Sequence, residues 1–181
     1  MKVIAIFAQS NETEFTDLWA IFYDKCECNE FEKAFDNWTN PEYLLNFFKK
    51  NREDLINGFY GIESIEDAID KTIDQAYEFE ELLLKFSYHN NGANFDLNKL
   101  FKPLNNNDYR FESDLQKTKA RKNWLRLYSI KLHPSSFVVS GSAIKLCFDM
   151  DRPHLKEQLK NLDVTKSFLS EKGYLNSDDL K

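Results

Sequence analysis

The chain has 181 residues, enough for one domain with a substantial core, and its 16 Phe, 8 Tyr and 3 Trp supply that core while 5 Gly and 4 Pro argue against a low-complexity or collagen-like chain. No apolar run reaches the length of a membrane span and the first residues lack a signal-peptide pattern, so a cytoplasmic protein without membrane partners is expected. The formal net charge of -6 divides unevenly: residues 101–181 carry 15 Lys and Arg against 10 Asp and Glu, which leaves 9 against 20 for residues 1–100. A basic working surface on an acidic, solvated helical part is one reading of that split, and acidic helices that merely keep the protein soluble are the other.

Taken in order, the apolar runs at 2–8 and 18–23 predict an N-terminal hairpin. The loop that follows holds Cys26 and Cys28; with Cys147 far away, the three thiols suit a reducing compartment and form neither a disulfide framework nor a metal site. Phe31, Ala34, Phe35 and Trp38 follow the spacing of one helix face. Asn40 and Pro41 open a second helix as N-cap and first residue, which runs down to Asn57-Gly58. Ser64 opens the longest helix, with Asp67 at capping-box spacing and a stripe of Ile65, Ala68, Ile69, Ile73, Ala76, Leu83 and Phe86.

Beyond that helix, 97–104 predicts a short helix broken by Pro103, 105–108 a turn and 109–111 a small strand. The clearest strand signal follows at 124–132 and 137–147, joined by a polar turn at 133–136. Strict alternation puts Trp124, Arg126, Tyr128 and Ile130 on one face and Leu125, Leu127, Ser129 and Lys131 on the other. A last amphipathic helix spans 154–172 and stops at Gly173. The expected fold is α+β: one antiparallel sheet formed by the N-terminal and C-terminal hairpins, with the helices on one side. A single domain, 1–181, divides into N-terminal strands (1–29), an acidic helical insertion (30–104) and a basic hairpin with its C-terminal helix (105–181).

Phosphate-loop, dinucleotide-binding, zinc-protease and serine-hydrolase motifs are all missing from the sequence, and three histidines leave no multi-histidine centre. No metal or other cofactor is therefore expected. Cations and aromatics on a sheet remain, and they suit single-stranded RNA: Lys117, Lys119, Arg121, Lys122 and Lys131 for phosphate, Trp124 or Tyr128 for stacking on a base. RNA carries its own nucleophile, so cleavage needs only proton transfer and positive charge on the phosphorane. Lys145, His154 and Tyr128 are the candidates for proton transfer, and Arg126 or Arg152 for the charge. Each has a structural counterpart reading: Arg126 as a cation–π contact, Trp124 and Tyr128 as core, His154 as a helix-start residue, 117–122 as a solvated basic loop.

The segments KARKNWLRLYSIKL, FVVSGSAIKL and DRPHLKEQLKNL resemble the C-terminal part of the RelE/HigB-type toxins of bacterial toxin-antitoxin pairs. Those proteins run an arginine-containing strand, a second strand ending in small residues and a lysine, then a basic turn and a closing helix. The same segments are similar to uncharacterised bacterial proteins with WLRLYAIR, VITGGAIKLT and ERPH segments, associated with a neighbouring helix-turn-helix gene. The resemblance covers the last third to half of the chain. It implies an endoribonuclease that cleaves mRNA on the ribosome without metal, neutralised by a helix-turn-helix antitoxin, with Arg126, Lys145, Arg152 and His154 nearest the functional surface. The acidic section 30–90 exceeds what the compact toxins carry, which suggests a dock for the antitoxin. A non-catalytic protein-interaction module using the same hairpin is the alternative reading.

Overall fold

A computed structural model describes residues 1–7, 17–87, 96–104, 115–132, 136–148 and 151–180. The architecture is α+β, as the sequence indicates, and the sheet joins strands from both ends of the chain. The N-terminal strands are β1 (Lys2–Ala5) and β2 (Leu18–Phe22). The helical section holds α1 (Glu30–Thr39), α2 (Pro41–Lys50), α3 (Arg52–Asn57) and α4 (Ile65–Ser87). The remainder is β3 (Lys102–Pro103), β4 (Gln116–Lys122), β5 (Leu125–Lys131), β6 (Phe137–Ile144) and α5 (Pro153–Lys172).

Six strands pair in the order β1-β2-β6-β5-β4-β3. Two features differ from the expected arrangement. The sheet is mixed, because the helical section carries the chain back so that β2 runs parallel to β6, with Leu18 opposite Phe137. The helices also lie on both faces. Phe31, Ala34 and Trp38 of α1, Leu44 and Phe48 of α2 and Phe79 and Leu83 of α4 pack on Leu18, Ala20, Leu125 and Leu127, whereas Leu155, Leu162 and Leu169 of α5 pack on Trp19, Tyr128, Ile130 and Val138. A central strand buried on two faces must be apolar on both, and β2, β5 and β6 are almost wholly buried.

Local chemistry sets the helix ends. Asn29 caps α1 with a full capping box through Glu32, and Asn40 accepts hydrogen bonds from the backbone N–H groups of Glu42 and Tyr43 at the start of α2. Ser64 Oγ accepts from the Asp67 N–H at 3.1 Å, as its spacing predicts. The single helix expected after Pro41 breaks at Asn51, whose φ of -112° and ψ of 29° separate α2 from α3. The stripe of α4 also buries Thr72 and Phe79, which sequence inspection passed over. Residues 97–99 form one 3-10 turn, and Pro103 belongs to an edge strand, where its missing N–H costs no ladder bond. The expected features at 9–13, 89–92, 105–108, 109–111 and 133–135 lie outside the described residues.

The pairing of β5 with β6 holds one irregularity that matters for the site. Tyr128 lies opposite Gly141 but Ser129 lies opposite Val139, so Ser140 is an extra residue in β6. Its carbonyl accepts a hydrogen bond from the Tyr23 hydroxyl at 3.0 Å. A bulge reverses the in-out alternation beyond it: Val138 faces α5, and so does Ala143. Gly141 beside the bulge lets α5 come close: a Cβ there would sit 2.0 Å from Gln158 Oε1, and the Gln158 side chain would have to move.

Among the described residues, no helix is long and apolar enough to cross a membrane.

Candidate functional site

The cations at 117–122 are a strand, β4, hydrogen-bonded to β5 through a turn at Asn123-Trp124. The turn requires a positive φ of 49° at Asn123, which asparagine tolerates better than most side chains. Along β4 the alternation sorts the charges. Lys117, Lys119 and Arg121 lie opposite Ile130, Tyr128 and Arg126, whereas Thr118 and Ala120 are buried on the other side. Lys117 is drawn to Asp163 of α5, and Lys122 reaches Glu78 of α4 at 2.9 Å.

Lys119 and Arg121 instead border a pocket of about 340 Å³, together with Arg126 and Tyr128 of β5 and Lys145 just past β6. Phe59, Leu104 and Leu159 complete its wall, and no described carboxylate lines it. Lys145 reaches this side of the sheet because of the bulge at Ser140. Its N–H donates to the Trp124 carbonyl at 2.8 Å, continuing the ladder one step beyond β6.

Arg126 is held in place rather than free to swing. Its guanidinium donates to the carbonyls of Asn123 and, at 2.8 Å, of Leu125, and it is only 9% exposed. Burial pushes the guanidinium below its ordinary range, with Tyr60 acting in the opposite sense. Burial likewise lowers the Lys119 ammonium, and the charges of Lys145, Arg126 and Arg121 lower it further. Tyr128 is raised by burial against the influence of Arg126. Like charges gathered on one pocket repel one another, and an anion placed among them is favoured.

The other residues singled out from sequence go elsewhere. Trp124 does not share a face with Arg126: as a turn residue it escapes the alternation, is fully buried against α4 and donates its indole N–H to Thr72 Oγ1 at 3.2 Å. It is core, and no base can stack on it. Lys131 lies at the opposite end of β5, its ammonium 6.0 Å from the Phe137 ring centroid. Tyr128 lines the pocket but is 1% exposed, so it offers an edge and no stacking face.

Arg152 and His154 do not border the pocket. Arg152 makes a two-pronged ion pair with Asp54 of α3, Nε to Oδ2 at 2.7 Å and a terminal nitrogen to Oδ1 at 2.6 Å. That pair holds the Asp54 carboxyl below its ordinary range. His154 Nε2 lies 3.0 Å from the Ile144 carbonyl, which can only accept, so Nε2 carries the proton. Its ring meets the Phe47 ring edge-on at 5.4 Å and lines a separate groove of about 460 Å³ between α1, α2 and the start of α5. Burial keeps the imidazole below its ordinary range. Both residues fasten the end of β6 and the start of α5 to the helical section.

The same fastening brings in residues that sequence reading missed. Gly58 approaches so closely that a Cβ would lie 2.2 Å from the carbonyl oxygens of Asp54 and Leu146. The next residue, Phe59, donates its N–H to the Leu146 carbonyl at 2.9 Å and puts its ring in the pocket wall. In sequence, Asn57-Gly58 registers only as a helix stop. An aromatic directly after a glycine was the one available signal.

Among the described residues, no group of three or more His, Cys, Asp or Glu converges as metal ligands would, and Cys26, Cys28 and Cys147 form no disulfide. No family model, no curated protein and no solved structure matches this chain.

Proposed function

We propose that the chain is a RelE/HigB-like endoribonuclease of the bacterial cytosol, the toxin of a type II toxin-antitoxin pair, working on mRNA from the pocket between β4, β5 and α5. The observation that carries this reading is the convergence of Lys119, Arg121, Arg126 and Lys145 on one pocket. The element order also supports it: an arginine-bearing strand, a strand running into Ser142, Ala143, Ile144 and Lys145, then Arg152 and a closing helix.

The chemistry is transesterification within the RNA. The 2′-oxygen attacks the adjacent phosphorus as its proton leaves, the bond from phosphorus to the 5′-oxygen breaks, and that oxygen takes up a proton. The products are a 2′,3′-cyclic phosphate and a 5′-hydroxyl. Arg126, fixed by two backbone carbonyls, stabilises the charge that builds on the phosphorane oxygens. Lys119, its ammonium lowered by burial and by three neighbouring cations, is the group best suited to exchange a proton at the reacting oxygens. Arg121 and Lys145 bind the flanking phosphates. In this reading the four cations supply the positive charge the step needs, and the activity is metal-independent. The ribosome and a helix-turn-helix antitoxin are the proposed partners.

Expression of the chain alone in a bacterium tests the reading. Growth arrest relieved by Lys119→Met or Lys145→Met, with cyclic-phosphate termini on cleaved mRNA in the arrested cells, supports it. Purified protein that cleaves RNA in ribosome-containing extract and leaves 2′,3′-cyclic phosphate termini adds the chemistry. Unhindered growth with a folded, abundant product overturns it in favour of a non-catalytic interaction module.

A further inference from the structure

Phe148 is 85% exposed, the most exposed large apolar side chain among the described residues. Its ring meets that of Phe59 at a centroid distance of 4.0 Å and an interplanar angle of 66°. Phe59 is 38% exposed and belongs to the wall of the cationic pocket. The two rings therefore stand at the edge of the four-cation cluster, one inside the pocket and the other on its rim.

Their position is built in. The Phe59 N–H bond to the Leu146 carbonyl, the backbone approach permitted by Gly58 and the Asp54–Arg152 ion pair hold residues 54–59 against the chain leaving β6. An apolar ring kept in water by so many constraints gains free energy from whatever covers it. The choice of cover follows from charge: an aromatic pair bordering a pocket of Lys119, Arg121, Arg126 and Lys145 complements a ligand that is both anionic and aromatic. A nucleotide has a flat ring and a phosphate joined at that scale.

Resting on the pocket reading above, we infer that Phe59 and Phe148 form a base-stacking rim, which restricts the site to unpaired nucleotides while leaving it nearly indifferent to base identity. Every base has a π face, so stacking does not read the hydrogen-bonding edge. Bases inside a duplex are already stacked and withhold that face.

The test uses three labelled oligonucleotides that cannot be cleaved, all with 2′-O-methyl sugars: a single strand, an abasic strand of equal length and charge, and a duplex. Binding is followed by fluorescence anisotropy at one fixed salt concentration. The native protein is expected to prefer the base-bearing single strand to both others. Phe148→Ala, a change at an exposed side chain, is expected to weaken that strand by roughly 5- to 150-fold and to leave the abasic strand unaltered. Phe148→Trp restores the preference. If Phe148→Ala leaves the preference intact, or weakens both single strands alike, the stacking rim is overturned while abasic binding that depends on Lys119 and Lys145 keeps the pocket reading alive. Failure of the native protein to bind any strand removes both.

Discussion

The Tyr23 hydroxyl donates to the carbonyl of Ser140 at 3.0 Å, at the point where β6 carries one residue more than β5. The same oxygen lies 2.8 Å from Thr165 Oγ1, so one phenol ties β2, β6 and α5 together. Burial pushes the Tyr23 phenol up to about 12, against the lowering effect of its Thr165 hydrogen bond, so it remains a neutral donor across the working pH range. Its importance is indirect: the bulge it supports decides which way Lys145 points.

Tyr23→Phe leaves the Ser140 carbonyl without that donor in a part-buried setting. A loss of about 1–3 kcal/mol is expected, read as a lower urea midpoint with an unchanged slope. Deletion of Ser140 is a sharper perturbation. Restored alternation turns Lys145 away from Arg126, and binding of the abasic strand falls although the sheet persists.

Asp54 and Arg152 should behave as a structural pair. Arg152 is 41% exposed at its side chain and Asp54 13%, so solvent screens the pair and a coupling of about 1 kcal/mol is expected from a double-mutant cycle with Asp54→Asn and Arg152→Gln. Because the ion pair holds the Asp54 carboxyl below its ordinary value of 3.8, the coupling is fully present above that value and fades as pH falls through the lowered one. Denaturant titrations at several pH values measure it. A coupling indistinguishable from zero at neutral pH contradicts the clamp.

His154 gives a pH signature of the same sign, at higher pH. Burial lowers its imidazole from 6.5, outweighing the Ile144 carbonyl and Asp54, so on acidification the unfolded chain takes up the proton first. Stability should drop as pH decreases from about 7.5 towards 5, and the stability difference between the native protein and His154→Asn should shrink over that interval. Glu30, raised mainly by burial, works the other way in both proteins and cancels from the comparison.

Lys119 reports the density of charge in the pocket. Removal of a neighbouring cation by Lys145→Met should raise its pKa towards the ordinary lysine value of 10.5, as followed by NMR titration of labelled lysine side chains. If Lys119 exchanges the proton in catalysis, the alkaline-going limb of the cleavage rate moves upward in pH by the same amount. An unmoved Lys119 titration places the two ammonium groups further apart than the pocket requires.

Gly58→Ala inserts a methyl group between two backbone carbonyls, each 2.2 Å from the new atom. Backbone cannot swing aside as a side chain does, so about 1–3 kcal/mol of destabilisation is expected in urea unfolding. Loosening of the Phe59–Phe148 rim should accompany it, seen as weaker preference for the base-bearing strand.

Much of the fold was legible along the chain because its causes are local. The caps at Asn40 and Ser64, the stripe of Phe31, Ala34, Phe35 and Trp38, and the apolar density of β2, β5 and β6 each depend on residues a few positions apart. The cationic character of the C-terminal half was readable for the same reason. Local signals also misled. Trp124 obeys a turn and not the strand alternation, and Lys117 and Lys122 sit in the same basic run as Lys119 yet point to Asp163 and Glu78.

Composition, helix ends and strand positions were thus determined by the sequence itself, since they are set by spacing, capping and hydrophobic period. Which cations share a pocket was decided only in three dimensions. Arg152 is claimed by a carboxylate 98 positions away, His154 by the last carbonyl of β6, and Lys145 is delivered to Arg126 by a single surplus residue at 140. Long-range ion pairs and a one-residue bulge leave no periodic trace, because neither repeats.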